Sequence, residues 1–252
     1  MNVFLVYAHP EKRSLNASLH ALAVEALQQA GHQVIVSDLY EMDFEPVAST
    51  RDFLSQDPSP RARFRDEQRR ATENGELAPD IIQEQERLRW CDLLILQFPL
   101  WWFSMPAIMK GWVDRVLTPG FAYNRTMIYN HGGLRGRKAM ILLTTGNSRV
   151  QYSKQGLNGP IETILFPIHR GILNYVGFDV LPPFIAWQPS RMSEDKRDEL
   201  KLELRRYLDQ VDTLKPLKFP EIEDADQNFQ LFNDFDWETA IHSTPNTHEE
   251  KD

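Results

Sequence analysis

Three short stretches carry residues whose types suit joint chemistry. Residues 97–106 read QFPLWWFSMP, an aromatic block between Pro99 and Pro106. Residues 9–16 read HPEKRSLN, and residues 144–149 read TTGNSR. Trp101, Trp102 and Phe103 offer flat surface that can back one face of a planar ring, or pack under a sheet edge as plain core. His9, Lys12, Arg13, Ser14 and Asn16 precede a helix. Its unpaired backbone N–H groups and dipole favour an anion such as a phosphate or pyrophosphate. Ordinary helix capping would use Ser14 and Asn16 equally well. In the third stretch Gly146 permits close backbone approach. Amides there, or the phenol of Tyr152, can stabilise developing negative charge, although a loop tyrosine is more often a packing or surface residue.

The elements that must position these stretches follow from the hydrophobic pattern. Val3–Tyr7 and Leu93–Phe98 are apolar runs, as expected of strands buried on both faces, and Ala139–Leu143 is a fourth strand after the shorter Val34–Val36. Leu15, Leu19, Leu22, Ala23, Ala26 and Leu27 share one helix face, with Gly31 placed to end that helix. A second helix opens at Pro79 and Asp80 and runs to about Trp90. A third spans Pro106 to about Leu117, burying Met109, Trp112, Val113 and Val116. Ile161–Tyr175 reads as helix with Pro167 bending or splitting it. Val180–Ala186 contains Pro182 and Pro183, so a fifth strand there is weak or at an edge. Ser193 caps a charged helix to about Val211, most simply a solvated face. Residues 45–75 form a long, partly helical excursion.

Alternating strands and helices imply a doubly wound parallel sheet with helices on both faces. Five strands suit the flavodoxin-like order 2-1-3-4-5, where ligands gather beyond the carboxyl ends of the strands. Strands 1, 3 and 4 are then neighbours, and the three stretches meet at one sheet edge. A phosphate cradle, an aromatic wall and a glycine turn together suit a flavin, which wants an apolar wall on one face and donors along its edge. Neither GxGxxG nor GxxxxGK(S/T) occurs, which disfavours a Rossmann dinucleotide site or a P-loop.

Composition narrows the classes. The 252 residues carry 42% hydrophobic side chains and a net charge of −8, which supports a real core and disfavours nucleic acid as a partner. The longest apolar stretch, Leu93 to Phe103, is broken by Gln97 and Pro99 and is too short to span a bilayer, so no membrane insertion is expected. The N-terminus lacks the pattern of a signal peptide. Cys91 is the one cysteine, which fits a reducing compartment and a cytoplasmic address; its place between a helix and a strand suggests packing. The histidines lack metal-ligand spacing, so no metal is expected.

The chain resembles the NAD(P)H:quinone oxidoreductase family, the DT-diaphorase-like flavoproteins. The resemblance rests on YAHPEKRSLN, SDLYEMDFEP, ELAPDI, QFPLWWFSMPAIMKGWVDRV, GFAY, TTG, YSKQG and GILNYVGF. It spans roughly residues 1–190 and fades in 50–70 and after 212. It implies a flavodoxin-like catalytic domain over 1–212 and a C-terminal extension, 213–252, packing on a homodimer. It also implies two-electron reduction of quinones or other small aromatic acceptors by NADH or NADPH. Donor and acceptor would use one slot in turn, giving ping-pong kinetics. The 45–75 excursion and long C-terminus look like the FAD-binding branch of the family rather than the shorter FMN-binding one. Other relatives reduce azo or nitro compounds or free flavin, and some are regulatory partners of potassium-efflux antiporters.

Carried over by position, the resemblance implies pyrophosphate and ribityl contacts from His9, Ser14, Leu15 and Asn16. It implies a ring wall of Pro99, Leu100, Trp101, Trp102 and Phe103. Thr144, Thr145 and Gly146 would follow the pyrimidine edge, and Arg197 would lie near an adenine. Tyr152, Asn158 and Gly146 would stabilise the reduced ring. Trp102, Phe103, Phe121, Tyr123, Arg125 and Asn158 would shape the substrate pocket. Two positions depart from the family pattern. Asn158 stands where some relatives have a histidine, and an amide has no titratable nitrogen near neutral pH, so no histidine relay is available there. Arg125 replaces an aromatic residue seen in some relatives, which alters the pocket rim.

Overall fold

The computed structural model describes residues 1–55 and 63–237. Apolar runs become the strands: β1 (Asn2–Tyr7), β3 (Leu93–Pro99) and β4 (Lys138–Thr145), with β2 (Gln33–Asp38) at one edge. The helices are α1 (Leu15–Gln29), α2 (Phe64–Asn74), α3 (Pro79–Trp90), α4 (Ala107–Val116), α5 (Ile161–Ile168) and α6 (Glu194–Asp209). All pairings are parallel, in the order β2-β1-β3-β4-β5. The expected fifth strand is two pieces, β5 (Asp179–Val180) on the start of β4 and β6 (Phe184–Trp187) on its end. Pro182 and Pro183 lie between the pieces and cannot donate ladder hydrogen bonds, so pairing lapses where they stand.

Side chains alternate across the sheet. Val3, Leu5, Leu93, Ile95, Met140 and Leu142 face α1 and α6. Phe4, Val6, Leu94, Leu96, Ile141 and Leu143 face α3, α4 and α5. Helix α6 is not wholly solvated: Leu200, Leu204 and Leu208 form a buried stripe under its charged surface. Gly31 ends α1 as expected, at φ +84°, with its N–H bonded to Gln28 O and that of His32 to Leu27 O. Pro167 sits in the last turn of α5, and the chain continues as a wider π-helical turn, His169–Asn174. His169 is fully enclosed there, and burial lowers its imidazole to about 4.

The excursion after β2 is held by a buried guanidinium. Arg115 Nε donates to Asp52 at 2.9 Å, and its Nη1 donates to Asp80 at 2.7 Å and to Glu45 O at 2.9 Å. Residues 213–237 are largely irregular, as expected, and fold along their own chain. Leu217 N–H bonds to Val180 O at 2.7 Å, and Arg170 lies 3.8 Å over the Tyr129 ring and 5.6 Å from Phe219. The remainder of the expected extension lies outside the described residues.

Gly111 in α4 faces the backbone of the excursion. A methyl group there would meet Pro46 O at 2.2 Å and Pro46 Cα at 2.5 Å. Alanine for glycine inside a helix normally gains up to about 1 kcal/mol. Gly111→Ala should instead cost about 1–3 kcal/mol and lower Tm by several degrees in thermal unfolding. A Tm at or above that of the native chain would contradict this packing.

Candidate active site

The sheet register brings the three stretches together. Tyr7 pairs with Gln97, Pro99 with Thr144, and Thr145 with Trp187, so the strands end nearly flush. Ser14 is the N-cap of α1; its Oγ accepts the Ala17 N–H at 3.1 Å. His9 Nδ1 accepts the Glu11 N–H at 3.0 Å and lies 3.2 Å from Ser14 Oγ. Burial holds His9 below its ordinary pKa, against the opposing pull of Glu11. A neutral ring with Nδ1 accepting carries its proton on Nε2.

The aromatic stretch is a tight hairpin. Trp101 and Ser104 exchange both backbone hydrogen bonds, at 3.0 and 2.9 Å. Between them Trp102 and Phe103 adopt φ of +51° and +60°. Positive φ at both central residues is the type I′ pattern, normally filled by Asn-Gly. Two bulky residues there cost about 1–2 kcal/mol each. Trp102 is 96% exposed at the tip, and Trp101 and Phe103 are 41% and 49% exposed. These rings are not core. Leu100 anchors the hairpin base, its N–H bonded to Thr144 O at 2.8 Å.

The hairpin reaches both neighbouring loops. The Trp101 ring lies 6.2 Å from His9, and the Phe103 ring 6.2 Å edge-on from Tyr152. Tyr152 is buried, and Thr145 Oγ1 donates to its phenol oxygen at 3.3 Å. Gly146 has open space where a Cβ would stand and no unusual φ, so no neighbour within the chain demands glycine. Asn158 Nδ2 is enclosed without a hydrogen-bond partner among the described residues. Its backbone N–H bonds to Gln151 O at 3.0 Å.

Asn16 is almost fully enclosed, at 2% exposure. Its Nδ2 donates to Thr144 Oγ1 at 3.0 Å, and Gln97 Nε2 donates to Asn16 O at 2.9 Å and Asn16 Oδ1 at 3.1 Å. Gln97 was not among the residues singled out above. Its signal is a lone amide within the otherwise apolar LLILQFP of β3. Arg197 joins Arg13, Ser14 and Leu15 around a cleft of about 460 Å³ between the N-terminal turns of α1 and α6.

The expected pocket residues do not all gather here. Phe121 is buried in the core with the Arg89 guanidinium 4.6 Å from its ring. Tyr123 lines a separate cleft with Phe64 and Tyr175, and Arg125 another with Arg65 and Arg69. Among the described residues no three His, Cys, Asp or Glu side chains are grouped to hold a metal, and no helix is long and apolar enough to cross a membrane. Cys91 is buried, which pushes its thiol up to about 12.

Parallel order, flush strand ends and a helix N-terminus beside them define a flavodoxin-like protein, and the model of the flavodoxin-like fold matches residues 1–211. A ribosyldihydronicotinamide dehydrogenase-like protein of Penicillium crustosum is 42% identical over 227 residues, covering 87% of this chain and 84% of the relative. NAD(P)H dehydrogenase [quinone] 1 of Cavia porcellus is 40% identical over 228 residues, covering 90% and 82%. A crystal structure from Klebsiella pneumoniae, designated a candidate quinone reductase, superposes with a TM-score of 0.88 at 40% identity, covering 92% and 94%. The chain belongs to the NAD(P)H:quinone oxidoreductase family.

An exposed tryptophan gives the fold little, and Trp102 should be dispensable for stability. Trp102→Ala should change unfolding free energy by no more than about 0.5 kcal/mol. Trp112→Ala should cost about 3–5 kcal/mol, because Trp112 is 1% exposed and its Nε1 donates to Glu84 at 2.7 Å. Denaturant titration checks both, and comparable losses would contradict the assignment.

Proposed function

We propose that this protein is an NAD(P)H-dependent flavoprotein that reduces quinone-type acceptors by two electrons. The observation that carries the reading is the strained aromatic hairpin, held open to solvent between the N-terminus of α1 and the Thr144–Gly146 turn. Strain of this kind persists where surrounding structure fixes it, and it clusters at ligand sites. The names of the relatives, quinone dehydrogenases using NAD(P)H or ribosyldihydronicotinamide, point the same way.

The residues present suit a flavin. Trp101, Trp102 and Phe103, with Pro99 and Leu100 behind them, form its backing wall. His9, Ser14 and the α1 N-terminus hold the phosphate chain, with Leu15 and Asn16 beside it. Thr144, Thr145 and Gly146 follow the pyrimidine edge, where Gly146 leaves room for close approach. FAD rather than FMN is the flavin of this reading, with its adenosine assigned to the cleft of about 460 Å³ beside Arg197. When bound, the flavin supplies two-electron redox chemistry between the nicotinamide donor and the acceptor.

The chain orients the rings and stabilises charge. The Tyr152 phenol, 3.3 Å from Thr145 Oγ1, is one donor for that charge. The unpartnered Nδ2 of Asn158 is a second donor. Donor and acceptor use in turn one slot whose edge Trp102 and Phe103 shape, on the side away from the backing wall, giving ping-pong kinetics. The protein acts as a cytoplasmic homodimer in which the partner completes the pocket. Tyr123 lies in its own cleft beside Phe64, and Val47 and Leu54 are exposed, surfaces that suit such a contact. The described part of the extension, residues 213–237, packs on that dimer.

Purified protein should be yellow, release FAD on denaturation, and reduce a quinone with NADH or NADPH faster than it reduces an azo dye or free flavin. Tyr152→Phe should keep the cofactor but slow its reduction in stopped-flow by about 10- to 100-fold, the effect of one hydrogen bond to developing charge. Protein that stays colourless when mixed with FAD or FMN would end this reading.

A further inference from the structure

Five enclosed side-chain atoms have no hydrogen-bond partner among the described residues, and three of them lie in one seam between α1 and the sheet: Tyr7 Oη, His20 Nδ1 and Gln97 Oε1. Tyr7 and Gln97 are paired across β1 and β3, so their side chains leave the sheet on the same face, toward α1. Asn16 and His20 are four residues apart on α1 and face that side of the sheet. The Tyr7 and His20 rings stack with centroids 4.2 Å apart. An enclosed polar atom left unpaired costs about 1–3 kcal/mol, so three in one seam point to a purpose.

The bonds of this seam run in one direction. Asn16 O is a backbone carbonyl that can only accept, so the Gln97 amide must turn its Nε2 toward it. The same Nε2 donates to Asn16 Oδ1, which leaves Asn16 Nδ2 as the donor to Thr144 Oγ1. An amide N–H can only donate, so the Thr144 hydroxyl accepts there and its own proton points elsewhere. At the opposite end, Gln97 Oε1 can only accept. The available donor is the half-buried imidazole of His20. Burial lowers its pKa, against the opposing pulls of the nearby Gln97 amide and the Asp38 charge at the end of β2. Tyr7 is influenced by Asp38 and Ser14 instead, and burial together with the Asp38 charge pushes its phenol up to about 12.

We propose that His20 and Gln97 are positioning residues for the flavin ring. His20 Nδ1–H donates to Gln97 Oε1, directly or through one enclosed water, and the chain His20–Gln97–Asn16–Thr144 commits the Thr144 hydroxyl to donate at the pyrimidine edge. The inference rests on the flavoprotein reading and adds two residues that belong neither to the ring wall nor to the glycine turn. Bonds in such a chain polarise one another. The His20 end therefore strengthens the donor at the Thr144 end, where donation favours the more negative, reduced ring.

The tautomer of His20 is a readout that needs no turnover. In nitrogen-labelled native holoprotein near neutral pH, NMR should find the His20 proton on Nδ1, opposite to His9, whose proton is on Nε2. Potentiometry of the bound flavin reads the other end of the chain. His20→Leu should lower the redox equilibrium constant about threefold, about 15 mV for a two-electron couple. His20→Asn places an amide N–H where Nδ1 stood and should restore most of that loss. Thr144→Val removes the last donor and should cost about tenfold, about 30 mV, and adding His20→Leu to it should change the potential no further. A His20 proton on Nε2 overturns the proposal, and this result is read in native protein even where His20→Leu fails to fold. A His20→Leu shift that persists in full on the Thr144→Val background also overturns it, because the residue would then act by another route. A yellow protein whose potential is unchanged by His20→Leu overturns this inference alone. Native protein that holds no flavin ends the flavoprotein reading on its own account, and this inference with it.

Discussion

The buried side chain of Asn16 is the junction on which the rest of the site depends. It belongs to the first turn of α1, yet it donates to Thr144 at the end of β4 and accepts from Gln97 near the end of β3. One amide therefore fixes three chain segments against one another. All three side chains are buried, so each of these bonds is strong and each unmade partner is costly. Helix α1 cannot slide along the sheet without leaving Gln97 or Thr144 unpaired. The N-terminus of α1, the aromatic hairpin and the Thr144–Gly146 turn keep fixed relative positions for that reason.

The same junction lets the hairpin carry strain. Trp102 and Phe103 sit in a turn that suits asparagine and glycine, with their rings outside the core. Local preference alone would relax that turn. It is held from below by parallel pairing of β3 on β4 and by the Leu100 to Thr144 bond. From above it is held by Met105 and Pro106, both buried at the entrance to α4. Its side contacts are His9 and Tyr152, one from each flanking loop. Backbone strain of this kind, beneath exposed aromatic surface, is characteristic of ligand sites.

Much of this was legible in residue order. The runs of β1, β3 and β4 predict strands buried on both faces, and their neighbour relations place the three stretches at one edge, as found. Paired prolines foretell a weakened fifth strand, and they divide it into β5 and β6. Other features were hidden for physical reasons. Trp-Phe carries none of the signal of a type I′ turn, since the tertiary frame imposes the conformation. Asn16 as a buried hub depends on Gln97, which is far from it in sequence. Within the chain Phe121 is buried and Tyr123 and Arg125 line clefts of their own, placements that loop composition gives no means of reading. The stripe of Leu200, Leu204 and Leu208 is diluted by charges along α6, so a solvated face is the simpler expectation.

If Asn16 is a junction, its effect on the ring wall must be cooperative, although it is buried and Trp102 is almost fully exposed. A double-mutant cycle on flavin affinity, with Asn16→Ala, Trp102→Ala and the pair, measures that directly by fluorescence titration. The two losses should be coupled by about 1 kcal/mol or more. Losses that add to within about 0.3 kcal/mol would mean that the two residues act independently, and the junction would not be what holds the wall in place.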